Sequence, residues 1–284
     1  MTFSARLAAA VRLTGTPLCV GIDPWVDRLP GRAALGATPA RADLADLARR
    51  FGLAVVDACA GQVSSVKPQF AFFEALGPAG MAALADVCGA ARAADLLVIG
   101  DAKRGDIGST ATAYAAATLA ADAPFPCDAL TVSPFLGPDT LEPFLTVAEA
   151  NGRGLFVLLR TSNPGSARWQ APVADDLATW IDSTNAARGD LGPVGAVVGA
   201  THRAAMDKLR AAMPHTWLLV PGFGAQGGSA ADAKAALRPD GLGALIVSAR
   251  AATFPDAPSA AYDADPAAWI RDRVAATREA LAAG

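Results

Sequence analysis

The sequence predicts an α/β fold, a single (β/α)8 TIM barrel formed by residues 1–284 as one domain. Short apolar runs, often β-branched, alternate with Ala-rich helical stretches, the pattern of a parallel sheet covered on its outside. Eight such runs fit within about 250 residues, the count for a closed barrel. No G-x-G-x-x-G follows the first run, which weighs against the alternative of an open doubly wound sheet. The chain opens on "MTFSARLAAAVRL", which reads as an amphipathic helix. The first strand is "LCVGI" (18–22), followed by a long connection at 23–38 and a helix at 39–60. "VSSVK" (63–67), a helix at 78–93, "LLVIG" (96–100) and a helix at 107–121 come next. "ALTV" (129–132) and "LFVLL" (155–159) follow, then a long connection at 160–173 and a helix at 174–188. "VGAVVG" (194–199), a helix at 202–212, "WLLV" (217–220), a helix at 229–237 and "ALIVS" (244–248) complete the eight units. A third long connection at 251–264 leads to the final helix at 265–282. All three long connections follow strands, on the face where barrels build their active sites.

Composition narrows the function. The formal net charge is −3 with no basic stripe, so no nucleic-acid partner is expected. No run of about 18 uninterrupted apolar residues appears, so no membrane span is expected. The first residues lack the apolar centre of a signal peptide, which points to a cytoplasmic protein. Cys19, Cys59, Cys88 and Cys127 form no C-x-x-C pair and read as buried free thiols. With only His202 and His215, a zinc site, a catalytic triad or a histidine base is poorly supplied. Of the 24 basic residues four are lysines (Lys67, Lys103, Lys208 and Lys234) and the other 20 are arginines. A chain that otherwise meets its need for positive charge with arginine uses lysine where an amine must be able to give up a proton. Lys208 and Lys234 lie in polar helical segments and fit a plain surface role; Lys67 and Lys103 fit it less well.

Residues at the C-terminal ends of barrel strands carry the chemistry of such folds. Here they are Asp23, Lys67, Asp101 with Lys103 and Asp106, Thr131 with Ser133, Ser162, Gln226 and Arg250. Asp101 and Lys103 stand two apart on an extended chain, so their side chains point to one side with Cα atoms about 6–7 Å apart. Lys67 ends the neighbouring strand, which gives an array of alternating charge. Flanking carboxylates favour the ammonium form of Lys103, an acid held ready to donate. A Schiff-base lysine would be desolvated or set beside another cation, which weighs against that chemistry. Asp106 opens a helical segment, "DIGST", where Asp is also a favoured N-cap, the lesser of its two readings. The glycine-dense "PGFGAQGG" exposes backbone N–H groups after strand seven. With Arg250 after strand eight it forms the phosphate site that barrels commonly build between those two loops.

"VIGDAKRGDIGST" resembles the signature of the orotidine 5′-phosphate decarboxylase family, D-x-K-x-x-D followed by I/V-x-x-T, with Asp101, Lys103, Asp106, Ile107 and Thr110 in register. "GIDP" after strand one, Lys67, "GAQGG" and Arg250 also match, so the resemblance runs from about residue 18 to 250. The length and "RTSNPGS" resemble the longer bacterial branch. The resemblance implies decarboxylation of orotidine 5′-monophosphate to UMP, with no metal and no organic cofactor. It implies that Asp101, Lys103, Asp106 and Lys67 form the catalytic array and that Asp23 and Lys67 hold the ribose. Gln226 and Arg250 would bind the phosphate, and Ser162, beside Thr161, the pyrimidine. It further implies a homodimer with shared active sites, Asp106 and Thr110 reaching into the partner's. Two readings compete. Magnesium-dependent enzymes of keto-sugar phosphates share the barrel and the motif, but Lys67 stands where they carry an acidic metal ligand. A non-catalytic nucleotide-binding barrel would not need Lys103.

Overall fold

The computed structural model describes residues 1–200, 203–223 and 230–283. Among these, eight strands pair in chain order: β1 (Leu18–Ile22), β2 (Ser65–Pro68), β3 (Leu97–Arg104), β4 (Ala129–Val132), β5 (Gly154–Arg160), β6 (Val194–Val198), β7 (Leu218–Pro221) and β8 (Ala244–Ser248). Every pairing is parallel, and β8 returns to β1 to close the barrel. The helices are α1 (Phe3–Thr14), α2 (Arg41–Cys59), α3 (Phe70–Glu74), α4 (Gly77–Ala93), α5 (Gly108–Leu119), α6 (Glu142–Ala150) and α7 (Ser166–Trp169). They continue as α8 (Ala174–Ala186), α9 (Arg203–Ala212), α10 (Ala230–Ala235), α11 (Arg250–Thr253), α12 (Ala260–Ala264) and α13 (Pro266–Ala283).

The two-residue period of the strands separates two apolar cores. Outward side chains such as Leu18, Val20, Ile22, Val66 and Val98 pack beneath the helices. Inward ones, among them Cys19, Ile99, Ala129, Phe156, Val197, Leu219 and Leu245, fill the barrel axis. Because both faces are covered, the strands read as unbroken apolar runs. At the N-terminal end α1 lays Phe3, Leu7 and Val11 against this inner core, with Phe3 edge-on to Phe156 at 6.1 Å. Thr2 caps α1 and Gly15 ends it at φ +67°, where a side chain would be strained. Arg6 pins the helix to the barrel, donating to the buried carboxylate of Asp128 at 2.7 Å.

Most strands and helices fall within two residues of the limits expected. The exceptions have physical causes. α6 is missing from the sequence reading because Gly137, Pro138 and Pro143 obscure it; Pro143 sits in its first turn, where the missing N–H costs nothing. β3 runs four residues past Gly100, to Arg104, so Asp101 and Lys103 belong to the strand itself. The long connections hold short elements: two 3-10 turns at Val26–Arg28 and Arg32–Leu35, α7, and α11 with α12. Among the described residues no helix is long and apolar enough to cross a membrane.

Candidate active site

Toward the C-terminal end of the barrel the inward column turns from apolar to charged. On β3 the sequence of inward residues is Leu97, Ile99, Asp101, Lys103; on β2 and just beyond it, Ser65, Lys67, Gln69. The change of type at constant phase puts the charges at the mouth. Asp101 Oδ2 accepts from Lys67 Nζ at 2.6 Å and from Gln69 Nε2 at 2.8 Å. Its Oδ1 accepts from Lys103 Nζ and from the Thr131 hydroxyl, the latter at 3.1 Å.

Burial alone would push the Asp101 carboxyl up; its pairs with Lys67 and Lys103 outweigh that and hold it well below the usual carboxylate range. Burial alone would lower the Lys67 amine; Asp101 and Asp23 outweigh it and raise the amine above its ordinary value. Both groups therefore stay charged at neutral pH.

Lys103 sits at φ +50°, in the left-handed region. β3 shifts register against β4 between Gly100 and Arg104, and the Thr131 hydroxyl oxygen takes the N–H groups of Ala102 at 3.0 Å and Lys103 at 2.9 Å. Such a conformation costs a non-glycine residue on the order of 1–3 kcal/mol. Lysine thus stands where glycine would be less strained, with a side chain that is 45% exposed and an ammonium group paired to Asp101 in the cavity.

Asp23, one step past β1 on the inward phase, faces the same array. Burial pushes its carboxyl up, against the pull of Lys67, and its Oδ1 is buried with no hydrogen-bond partner among the described residues. An unsatisfied buried acceptor costs about 1–3 kcal/mol. Asp23→Asn is therefore expected to raise the thermal midpoint of the free protein at neutral pH while weakening UMP binding. Calorimetric melting and a binding titration check both; a lower midpoint would show that attraction to Lys67 outweighs burial.

The array lines a cavity of about 190 Å³ closed on its far side by Leu158, Val197, Leu219 and Ser162. Thr161 also lines it, but its hydroxyl is engaged by Gln170 and Asn163, whereas the Ser162 hydroxyl has no partner among the described residues. An adjoining cleft of about 360 Å³ is lined by Asp23, Trp25, Phe72 and Arg250. A larger cleft, about 740 Å³, lies between Arg28, Arg32, Pro255 and Tyr262, away from the Lys–Asp–Lys array; the charge array, not size, singles out the smaller cavity as the candidate.

Asp106, Ile107 and Thr110 stand apart. Asp106 accepts the Ile107 N–H at 2.7 Å and makes no hydrogen bond or ion pair with Lys103 or Asp101. The N-cap of α5 is Ile107, so Asp106 does not cap the helix. Ile107 is 64% exposed, and Thr110 is exposed too. Gln226, "GAQGG" and His202 lie outside the described residues. His215 is hydrogen-bonded to Asp182 at 3.0 Å, just before β7 at the opposite end of the barrel. All four cysteines are free and buried, Cys19 with its thiol pushed up to about 11 by burial. Among the described residues no three His, Cys, Asp or Glu side chains gather as a metal site. Gln69 is the residue that sequence reasoning missed; its signal was its phase, two residues after Lys67.

A closed parallel barrel with a Lys–Asp–Lys array at its mouth, its Lys67–Asp101 pair buried, defines a (β/α)8-barrel enzyme. The orotidine 5′-phosphate decarboxylase / HUMPS family model matches residues 16–264. The orotidine 5′-phosphate decarboxylase of Rhodopirellula baltica is 47% identical over 89% of each chain, and that of Deinococcus radiodurans 42% over 89% of each. The structure of Leishmania donovani OMP decarboxylase superposes with a TM-score of 0.74 at 32% identity, over 99% of this chain and 100% of that one. The chain belongs to the orotidine 5′-phosphate decarboxylase / HUMPS family.

Proposed function

We propose that this protein decarboxylates orotidine 5′-monophosphate to UMP and CO2, the last step of de novo pyrimidine synthesis. In this reading Lys103 is the proton donor and neither a metal nor an organic cofactor takes part. The observation that carries it is the Lys67–Asp101–Lys103 array lining the small cavity. When the bond from C6 to the carboxylate breaks, its electron pair stays on C6 in the ring plane, where no adjacent carbonyl can delocalise it. The site must supply a positive charge and then a proton. Lys103 Nζ supplies both, and Asp101, fixed by Lys67, Gln69 and Thr131, orients it before the reaction begins. The adjacent carboxylate of Asp101 also disfavours the substrate carboxylate relative to CO2.

Asp23 and Lys67 would take the ribose hydroxyls, Ser162 the pyrimidine, and Arg250 with Gln226 the phosphate. Binding energy at the phosphate then serves closure over the ring. Asp106, Ile107 and Thr110 would complete the site of a second copy in a homodimer. In support, Asp106 is turned away from its own array, and Ile107, Tyr114, Phe135 and Leu136 leave apolar surface exposed on α5, its N-cap and the turn after β4. We place the whole chain in one domain and the protein in the cytoplasm.

The test follows the ultraviolet absorbance of orotidine 5′-monophosphate after prolonged chelation with EDTA. Undiminished turnover is expected, because a cation would be repelled by Lys67. Activity that is lost and returns with Mg²⁺ would favour keto-sugar phosphate chemistry. UMP binding without turnover would favour a binding role.

A further inference from the structure

We propose that Trp25 is a positioning residue that holds the Arg250 guanidinium open for the substrate's phosphate, an inference that rests on the reaction proposed above. Arg250 makes no ion pair and no side-chain hydrogen bond among the described residues. Its contact is with the face of Trp25, the guanidinium carbon lying 6.0 Å from the ring centre. This kind of brace differs from the alternatives. A carboxylate would neutralise the charge, and a carbonyl would occupy N–H donors. An aromatic face orients a guanidinium while leaving all its donors free for an incoming dianion.

Trp25 is itself anchored. The Arg28 guanidinium lies 5.7 Å from its ring centre and 5.1 Å from that of the buried Phe254, and it donates to the Pro255 carbonyl. Phe254 stacks on Phe51 at 4.9 Å. The loop after β1 is thus fastened to the segment after β8 through aromatic and guanidinium faces, four residues beyond Arg250. Trp25 remains 40% exposed and lines the 360 Å³ cleft with Arg250 and Asp23. Nothing in the loop's periodicity requires an indole there.

The experiment compares wild type, Trp25→Ala, Trp25→Phe and Arg250→Ala, with UMP and uridine binding measured by calorimetry and turnover measured in parallel. Trp25→Ala is expected to weaken UMP roughly fivefold, the range of an exposed cation–π contact, and to leave uridine unchanged. The KM for orotidine 5′-monophosphate should rise by a similar factor with kcat nearly unchanged. Trp25→Phe should recover most of the loss, and Trp25→Ala should add nothing in an Arg250→Ala background. Unchanged UMP affinity, or equal weakening of UMP and uridine, would overturn the assignment. If wild type binds UMP but turns nothing over, the reaction reading fails, while the UMP-to-uridine comparison still decides Trp25.

Discussion

Lys103→Ala is expected to lose turnover by on the order of 10⁴-fold or more while the protein still folds and binds UMP. The loss joins two effects that one ammonium group supplies, charge stabilisation of the C6 carbanion and its protonation. Wild-type product formed in D₂O should carry deuterium at C6. An alanine variant retaining more than a few per cent of activity would remove Lys103 from the mechanism. A companion variant separates chemistry from fold. Because Lys103 sits at φ +50°, Lys103→Gly should be equally inactive yet more stable than Lys103→Ala, by about 1 kcal/mol, as measured by denaturant unfolding.

Mixing two dead variants is expected to restore activity. In the single chain the Asp106 carboxylate accepts the Ile107 N–H and makes no hydrogen bond or ion pair with the Lys67–Asp101–Lys103 array, which in the proposed reading it completes across a dimer. A twofold pairing through the start of α5 would present the same residues to both sites. Lys103→Ala and Asp106→Ala should each be nearly inactive alone. In a mixed dimer one site carries both lesions and the other neither, so random subunit exchange should return about a quarter of wild-type activity. No recovery, with exchange demonstrated independently, would place Asp106 in its own chain's site.

Much of this was legible before any coordinates. Lys67, Asp101 and Lys103 stood out because charged residues continue the inward phase of apolar strands, and a barrel leaves them one place to go, the mouth. The family resemblance then supplied roles that phase cannot, such as ribose and phosphate contacts. What stayed hidden has physical reasons. Asp106 was ambiguous because an N-cap and a catalytic carboxylate use the same residue type; only the backbone of α5, which starts at Gly108 with Ile107 as its N-cap, shows that Asp106 is not the cap. The left-handed backbone of Lys103 leaves no mark, since lysine is not a residue that signals it. Ser162 and Thr161 offer the same type of hydroxyl, so sequence alone does not rank them; in the structure Gln170 engages that of Thr161. Trp25 lies in a connection without periodicity, so its partners could only be found in three dimensions.

The apolar seal beneath the barrel has a consequence for gas traffic. Phe3, Leu7 and Val11 meet Phe156 and Trp217 with every one of these side chains buried, and the axial core above them is continuous. In the proposed reaction, carbon dioxide formed beside Asp101 would therefore meet packed apolar side chains below it among the described residues. On that reading it would leave by the mouth that admits the nucleotide. A closure that shielded the carbanion from water would then retain the gas as well, so both products would depart on reopening.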